Sequence, residues 1–144
     1  MKTVKQVLDS KGYQIHSVAP EATVYDALQK MAQEGIGALA VLDSGGLVGI
    51  VSERDYARKV ILTGRDSRDT PVRDIMTKNV ICVSSDSRVD ASMSIMSEKR
   101  VRHLVVRDDG RINGMVSIRD LLKAIIDDQQ FTIEQLEHYI SGYG

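Results

Sequence analysis

Apolar positions along the chain change period in a fixed order, and that order occurs twice. A short apolar run, Ile15 to Val18, is followed by Thr23 and then by Val24, Ala27, Leu28 and Met31. Spacings of three and four place these side chains on one helix face, and a short apolar run is suited to a strand. Thr23, with Asp26 three residues on, has the composition of an N-cap, and Gly35 that of a C-cap. Ala38 to Leu42 and Leu47 to Val51 are β-rich runs separated by Asp43-Ser44-Gly45-Gly46, which is hairpin chemistry. Ser52 then opens a second helix with Tyr56, Val60 and Ile61 as its apolar face. The second half repeats the series. Val80 to Val83 is a strand, Ser87 and Asp90 cap a helix bearing Val89, Met93 and Met96, and Arg107-Asp108-Asp109-Gly110 turns a hairpin. Ser117 opens the last helix of the copy, with Leu121, Leu122, Ile125 and Ile126 as its face.

Val18 to Ala57 aligns without gaps on Val83 to Leu122, and a looser echo precedes each copy, Val4 to Leu8 against Val72 to Met76. Self-similarity of this kind governs the fold. Each copy reads strand, helix, strand, strand, helix, and is too small to bury a sufficient core alone. The expected fold class is therefore α+β, two such copies packed about a pseudo-two-fold axis with a cleft along it. The expected divisions are residues 1–66 for the first copy with its N-terminal segment, 67–128 for the second, and 129–144 for a C-terminal tail. Within that tail, Thr132 caps an amphipathic helix carrying Ile133, Leu136 and Ile140. It is expected to pack back on its own module, or else on a second subunit or a regulated enzyme.

Charge narrows the function. With 19 Lys and Arg against 20 Asp and Glu, the chain lacks the basic excess of a nucleic-acid binder, and one Phe without Trp gives no stacking platform. The lone Cys82, among Val80, Ile81 and Val83, is expected to be a buried thiol in a reducing cytoplasm. Neither a signal-type apolar core near Met1 nor an apolar stretch of ~18 residues is present, so no membrane role is expected.

The doubled Ser-x-x-Asp, Ser52 to Asp55 and Ser117 to Asp120, carries the chemistry. It is a capping pattern first: the hydroxyl accepts a backbone N–H and the acid favours the positive end of the helix dipole. A carboxylate held there also accepts both hydroxyls of a ribose. Lys99 and Arg100 read as solvated cations at a helix end, whereas Arg102 and His103 directly precede Leu104-Val105-Val106 and are placed to face a cleft. Gly35-Ile36-Gly37-Ala38-Leu39-Ala40 imitates a dinucleotide fingerprint but ends a helix and opens a strand, the reverse of the true motif. His16, His103 and His138 have no zinc spacing, and neither a nucleophile elbow nor a phosphate loop occurs. No catalytic residue is assigned.

Ile75-Met76-Thr77 through Lys123, including Gly114-Met115-Val116-Ser117-Ile118-Arg119-Asp120-Leu121-Leu122, resembles the cystathionine-β-synthase-like (CBS) domain family, and Ile15 to Arg58 is similar to it. The resemblance implies a regulatory pair that senses energy or redox state through AMP, ATP or NAD, with S-adenosylmethionine ranked behind them. It also implies a homodimer and a regulated partner enzyme. It further implies two composite sites, each taking adenine from one copy and ribose from the other. One would use Thr77, Val80, Ile81, Val101, Arg102 and His103 with Ser52, Arg54 and Asp55. The other would use Ile15, His16, Ile36, Gly37 and Ala38 with Ser117, Arg119 and Asp120. The alternatives are a constitutive dimeric scaffold with non-functional clefts, and an enzyme turning over nucleotide with His103 and Asp55.

Overall fold

The computed structural model describes residues 2–142. In chain order its elements are α1 (Val4–Lys11), β1 (Ser17–Val18), α2 (Val24–Glu34), β2 (Ala38–Asp43), β3 (Gly46–Ser52), α3 (Glu53–Tyr56), β4 (Cys82–Val83), α4 (Val89–Lys99), β5 (His103–Asp108), β6 (Arg111–Ser117) and α5 (Ile118–Gly142). They form two compact units. Ile15–Val80 is one; the residues up to Gln14, together with the chain from Ile81 onward, are the other.

In the unit Ile15–Val80 a three-stranded sheet runs β1-β2-β3, the first pair parallel and the second antiparallel. Thr23 caps α2 by accepting the Asp26 amide, and Gly35 ends it in the left-handed region at φ 66. Ala38 to Val41 are buried without alternation, which explains their continuous apolar run. After Ser52, α3 passes into a π-helical turn, Ala57–Ile61. Val60 enters the core and Tyr56 packs against it. Ile61, expected on the same face, points outward because the wider turn rotates it away. The chain returns through Val72 and Ile75, both in the core, and Thr77 pairs with Ile50 through two main-chain bonds of 2.8 and 3.0 Å.

The other unit holds the sheet β4-β5-β6 with the same pairing. Asp109 and Gly110, both at positive φ, turn its hairpin. Helix α1 supplies Val4, Val7 and Leu8 to its core, beside Val83, Val89, Met96, Leu104, Val106, Val116 and Leu121. The units therefore do not divide between residues 66 and 67. Each echo segment packs with the copy it does not precede: Val4 to Leu8 with the second, Val72 to Met76 with the first. Amphipathic pieces this short contribute by filling whichever core their chain reaches, and sequence proximity does not decide which.

Four local expectations are corrected. Arg88, not Ser87, is the N-cap of α4 and makes no side-chain cap bond. Docking of the N-terminal segment replaces the cap, since the Val89 amide donates to the Lys2 carbonyl at 3.0 Å. Cys82 is exposed, because strand alternation sends Val83 into the core and Cys82 outward. Leu122 and Ile126 are exposed while Leu121 and Ala124 are buried, so the apolar face of that helix lies rotated from the one expected. The tail is no separate helix: α5 runs unbroken to Gly142, Thr132 donates back to the Asp128 carbonyl at 3.0 Å, and 129–141 are exposed instead of packing on the unit. Among the described residues no helix is long and apolar enough to cross a membrane.

Candidate functional site

In each unit the end of the last strand and the start of the next helix bring the Ser-x-x-Asp motif beside the beginning of the central strand. Ala38 pairs with Ser52, and the Glu53 amide donates to the Gly37 carbonyl at 3.1 Å. In the other unit His103 pairs with Ser117, and the Ile118 amide donates to the Arg102 carbonyl at 2.9 Å. The preceding strands are tied in alike, Ala40 N–H to the His16 carbonyl and Val105 N–H to the Ile81 carbonyl, each at 3.1 Å. Of the residues expected at the first composite site, Ser52, Arg54, Asp55, Thr77 and Val80 lie in the unit Ile15–Val80, while Ile81, Val101, Arg102 and His103 lie in the other. Of the second set, Ile15, His16, Ile36, Gly37 and Ala38 belong to the former and Ser117, Arg119 and Asp120 to the latter.

Both motifs close as reciprocal caps. Asp55 Oδ2 accepts the Ser52 amide at 3.0 Å while the Asp55 amide donates to Ser52 Oγ at 3.2 Å. Asp120 Oδ2 accepts the Ser117 amide at 2.8 Å and the Asp120 amide donates to Ser117 Oγ at 3.1 Å. These bonds fix each carboxylate at a helix N-terminus, where the unpaired amides favour negative charge. Thr77 Oγ1 donates to Asp55 Oδ1 at 3.2 Å, joining two of the expected site residues within the unit Ile15–Val80.

Each carboxylate also has a lysine partner outside the expected site residues. Lys59 Nζ lies 3.1 Å from Asp55 Oδ1 and donates to the Ile75 carbonyl at 2.8 Å. Lys11 Nζ, at the end of α1, donates to Asp120 Oδ2 and to the Met115 carbonyl, both at 2.8 Å. Lys59 was legible as the fourth residue after Asp55 on one helix. Lys11 was not, since 109 positions separate it from Asp120.

Electrostatics follow from these neighbours. Burial alone would raise the Asp120 pKa, but the hydrogen bond and charge of Lys11, with the Ser117 amide, hold it below the ordinary value. Burial pushes the His103 imidazole down; Asp120 opposes this, and the Lys11 and Arg102 cations add to it. His16 Nε2 lies 3.8 Å from Glu34 Oε2. In each unit the arrangement fixes a carboxylate at a helix N-terminus with a lysine cation beside it.

The CBS domain model matches residues 4–62 and 72–127. The CBS domain-containing protein CBSX3, mitochondrial, of Arabidopsis thaliana is 39% identical over 150 residues, which is 97% of this chain and 72% of that protein. A solved protein with CBS domains from Burkholderia ambifaria superposes with a TM-score of 0.87 at 49% identity, over 92% of this chain and 99% of that one. The CBS domain pair of protein MJ0100, solved in complex with 5′-methylthioadenosine and S-adenosyl-L-methionine, has a TM-score of 0.76 at 25% identity, over 89% and 98%. With both matched segments carrying the same α+β series, the chain belongs to the CBS domain family as a tandem pair.

Proposed function

We propose that this chain is a regulatory module that binds an adenosine-containing ligand, AMP, ATP or NAD, and passes the binding energy to a partner protein or to its own assembly. Asp55 and Asp120 accept the ribose hydroxyls. The observation that carries the reading is the recurrence of one capping-box carboxylate at the same helix N-terminus in both units. The adenosine ligands of MJ0100 support the ligand class. Ligand binding alters a partner only through a difference in affinity between two states of the module.

Isothermal titration with AMP, ATP, NAD and S-adenosylmethionine tests this. Loss of a charge-assisted bond to each sugar predicts affinity lowered ~10- to 100-fold in Asp55→Asn or Asp120→Asn. For phosphate-bearing ligands the two losses should be unequal, since Arg102 and His103 sit in the unit of Asp120 and have Gly37 and Ala38 as their counterparts in the other. Heat of binding from none of the four would leave a constitutive scaffold as the better account.

A further inference from the structure

Every residue of α5 from Gln129 to Ser141 is exposed. An isolated helical stretch this short is marginal in water, so its stability calls for a partner. Leu122, Ile126, Ile133, Leu136 and Ile140 are between 43% and 70% exposed. With Gln129 among them, their spacing alternates four and three, which is the 3.5-residue seam of a coiled coil, Ile at one core position and Leu or Gln at the other. A seam of that period is complementary to a second helix bearing the same period.

Charge selects which helix. From Asp127 onward the described part of α5 carries Asp127, Asp128, Glu134 and Glu137 with no Lys or Arg, so an anionic lipid surface would repel it. Set antiparallel against a second α5, Ile126 meets Leu136 of the other copy, Ile140 meets Leu122, Gln130 meets Gln130, and Lys123 faces Glu137 at both ends. Set parallel, Lys123 would face Ile118 and Glu137 would face Thr132, so neither charge would gain a partner from the other copy. We infer that the Leu122–Ile140 face of α5 is a self-association surface that takes the same helix of a second copy of this chain in antiparallel register. This stands apart from nucleotide binding, and either could fail alone.

Sedimentation velocity over a concentration series of the full chain tests it. All altered positions are exposed, so folding is preserved, and circular dichroism verifies that. Ile133→Asp with Leu136→Asp should halve the mass at micromolar protein, raising the dissociation constant at least ~100-fold. Lys123→Glu should raise it about tenfold by facing Glu137 with a like charge, and adding Glu137→Lys should restore it. Restoration distinguishes the contact between copies from the Lys123–Asp127 pair within one helix, which stays broken in the double variant. A monomeric wild type, a mass unchanged by the Asp pair, or a charge reversal that does not rescue would each overturn the inference.

Discussion

Asp55 and Asp120 hold the same place in two copies of one fold, yet the cation that balances each arrives by a different route. Lys59 comes from the next turn of the same helix and spans to Ile75; Lys11 comes from the end of α1 and spans to Met115. The copy-two counterpart of Lys59 is Ala124, which is buried in the core. The capping box was therefore duplicated with the repeat, whereas the counter-ion was not. Asp55 is also the drier of the two, its side chain 11% exposed against 23% for Asp120. A carboxylate taken out of water needs a cation, which comes from its own helix in one unit and from the docked helix α1 in the other.

The largest test of this difference is Leu8→Ala. Leu8 is fully buried in the unit whose core outside α1 lies beyond residue 80, so its truncation should cost about 2–5 kcal/mol in chemical denaturation. Hydrogen exchange followed by mass spectrometry should show the lost protection over residues 81–128. Protection lost instead over residues 15–80 would mean that α1 belongs with the copy it precedes.

Next in size are two glycines at equivalent points of the repeat. A Cβ on Gly114 would lie 2.8 Å from Leu8 Cδ2, and one on Gly49 would lie 2.9 Å from Met76 Sδ and 3.0 Å from the Thr77 carbonyl. Overpacking of this kind costs roughly 1–3 kcal/mol. Gly49→Ala should sit at the upper end, because a main-chain carbonyl yields less than a leucine tip. Gly114→Ala combined with Leu8→Ala should be less damaging than the separate losses added together, a coupling read from a double-mutant cycle. Strict additivity would separate Leu8 from Gly114.

How much of this the sequence discloses depends on distance along the chain. The hairpins, the α2 caps and the Ser-x-x-Asp boxes were legible because their partners lie within four residues. Gly35 signals its C-cap by residue type, yet Arg100 takes the same left-handed turn at φ 56, a conformation no propensity rule assigns to arginine. Ser87 misled because the orphan amide it was expected to meet is met by a carbonyl some 90 positions away, at Lys2. Cys82 misled because a two-residue strand gives too short a pattern to show which face is inward. Lys11, and the packing of α1 with the second copy, are long-range facts with no local signature.

Smaller effects attend the lysines. Lys11→Met and Lys59→Met each remove a half-exposed cation from a more buried carboxylate, and about 1 kcal/mol is the expected loss in thermal denaturation. Lys59→Met should cost the more, since Asp55 has less water to fall back on. The reverse order would show that Thr77 and Ser52 suffice for Asp55 without a cation.

The smallest effect is a pH dependence that the two units do not share. His103 occupies the position that Ala38 occupies in the other copy, each paired with the serine of its own motif. Burial, with Lys11 and Arg102, sets its folded pKa below the unfolded value of about 6.5, despite the opposing charge of Asp120. Between those two values the unfolded chain binds more protons, so stability is fully present above the unfolded pKa and is lost as pH falls through the folded one. Denaturation midpoints should therefore decline on acidification below about pH 6.5, and His103→Gln should flatten the decline. Lys11→Met should narrow it as well, because removing a neighbouring cation lets the imidazole charge more readily in the folded state. Asp120 adds its own loss only in stronger acid, since its pKa lies below the usual carboxylate value. A decline below pH 6.5 that persists unchanged in His103→Gln would place the titrating group elsewhere.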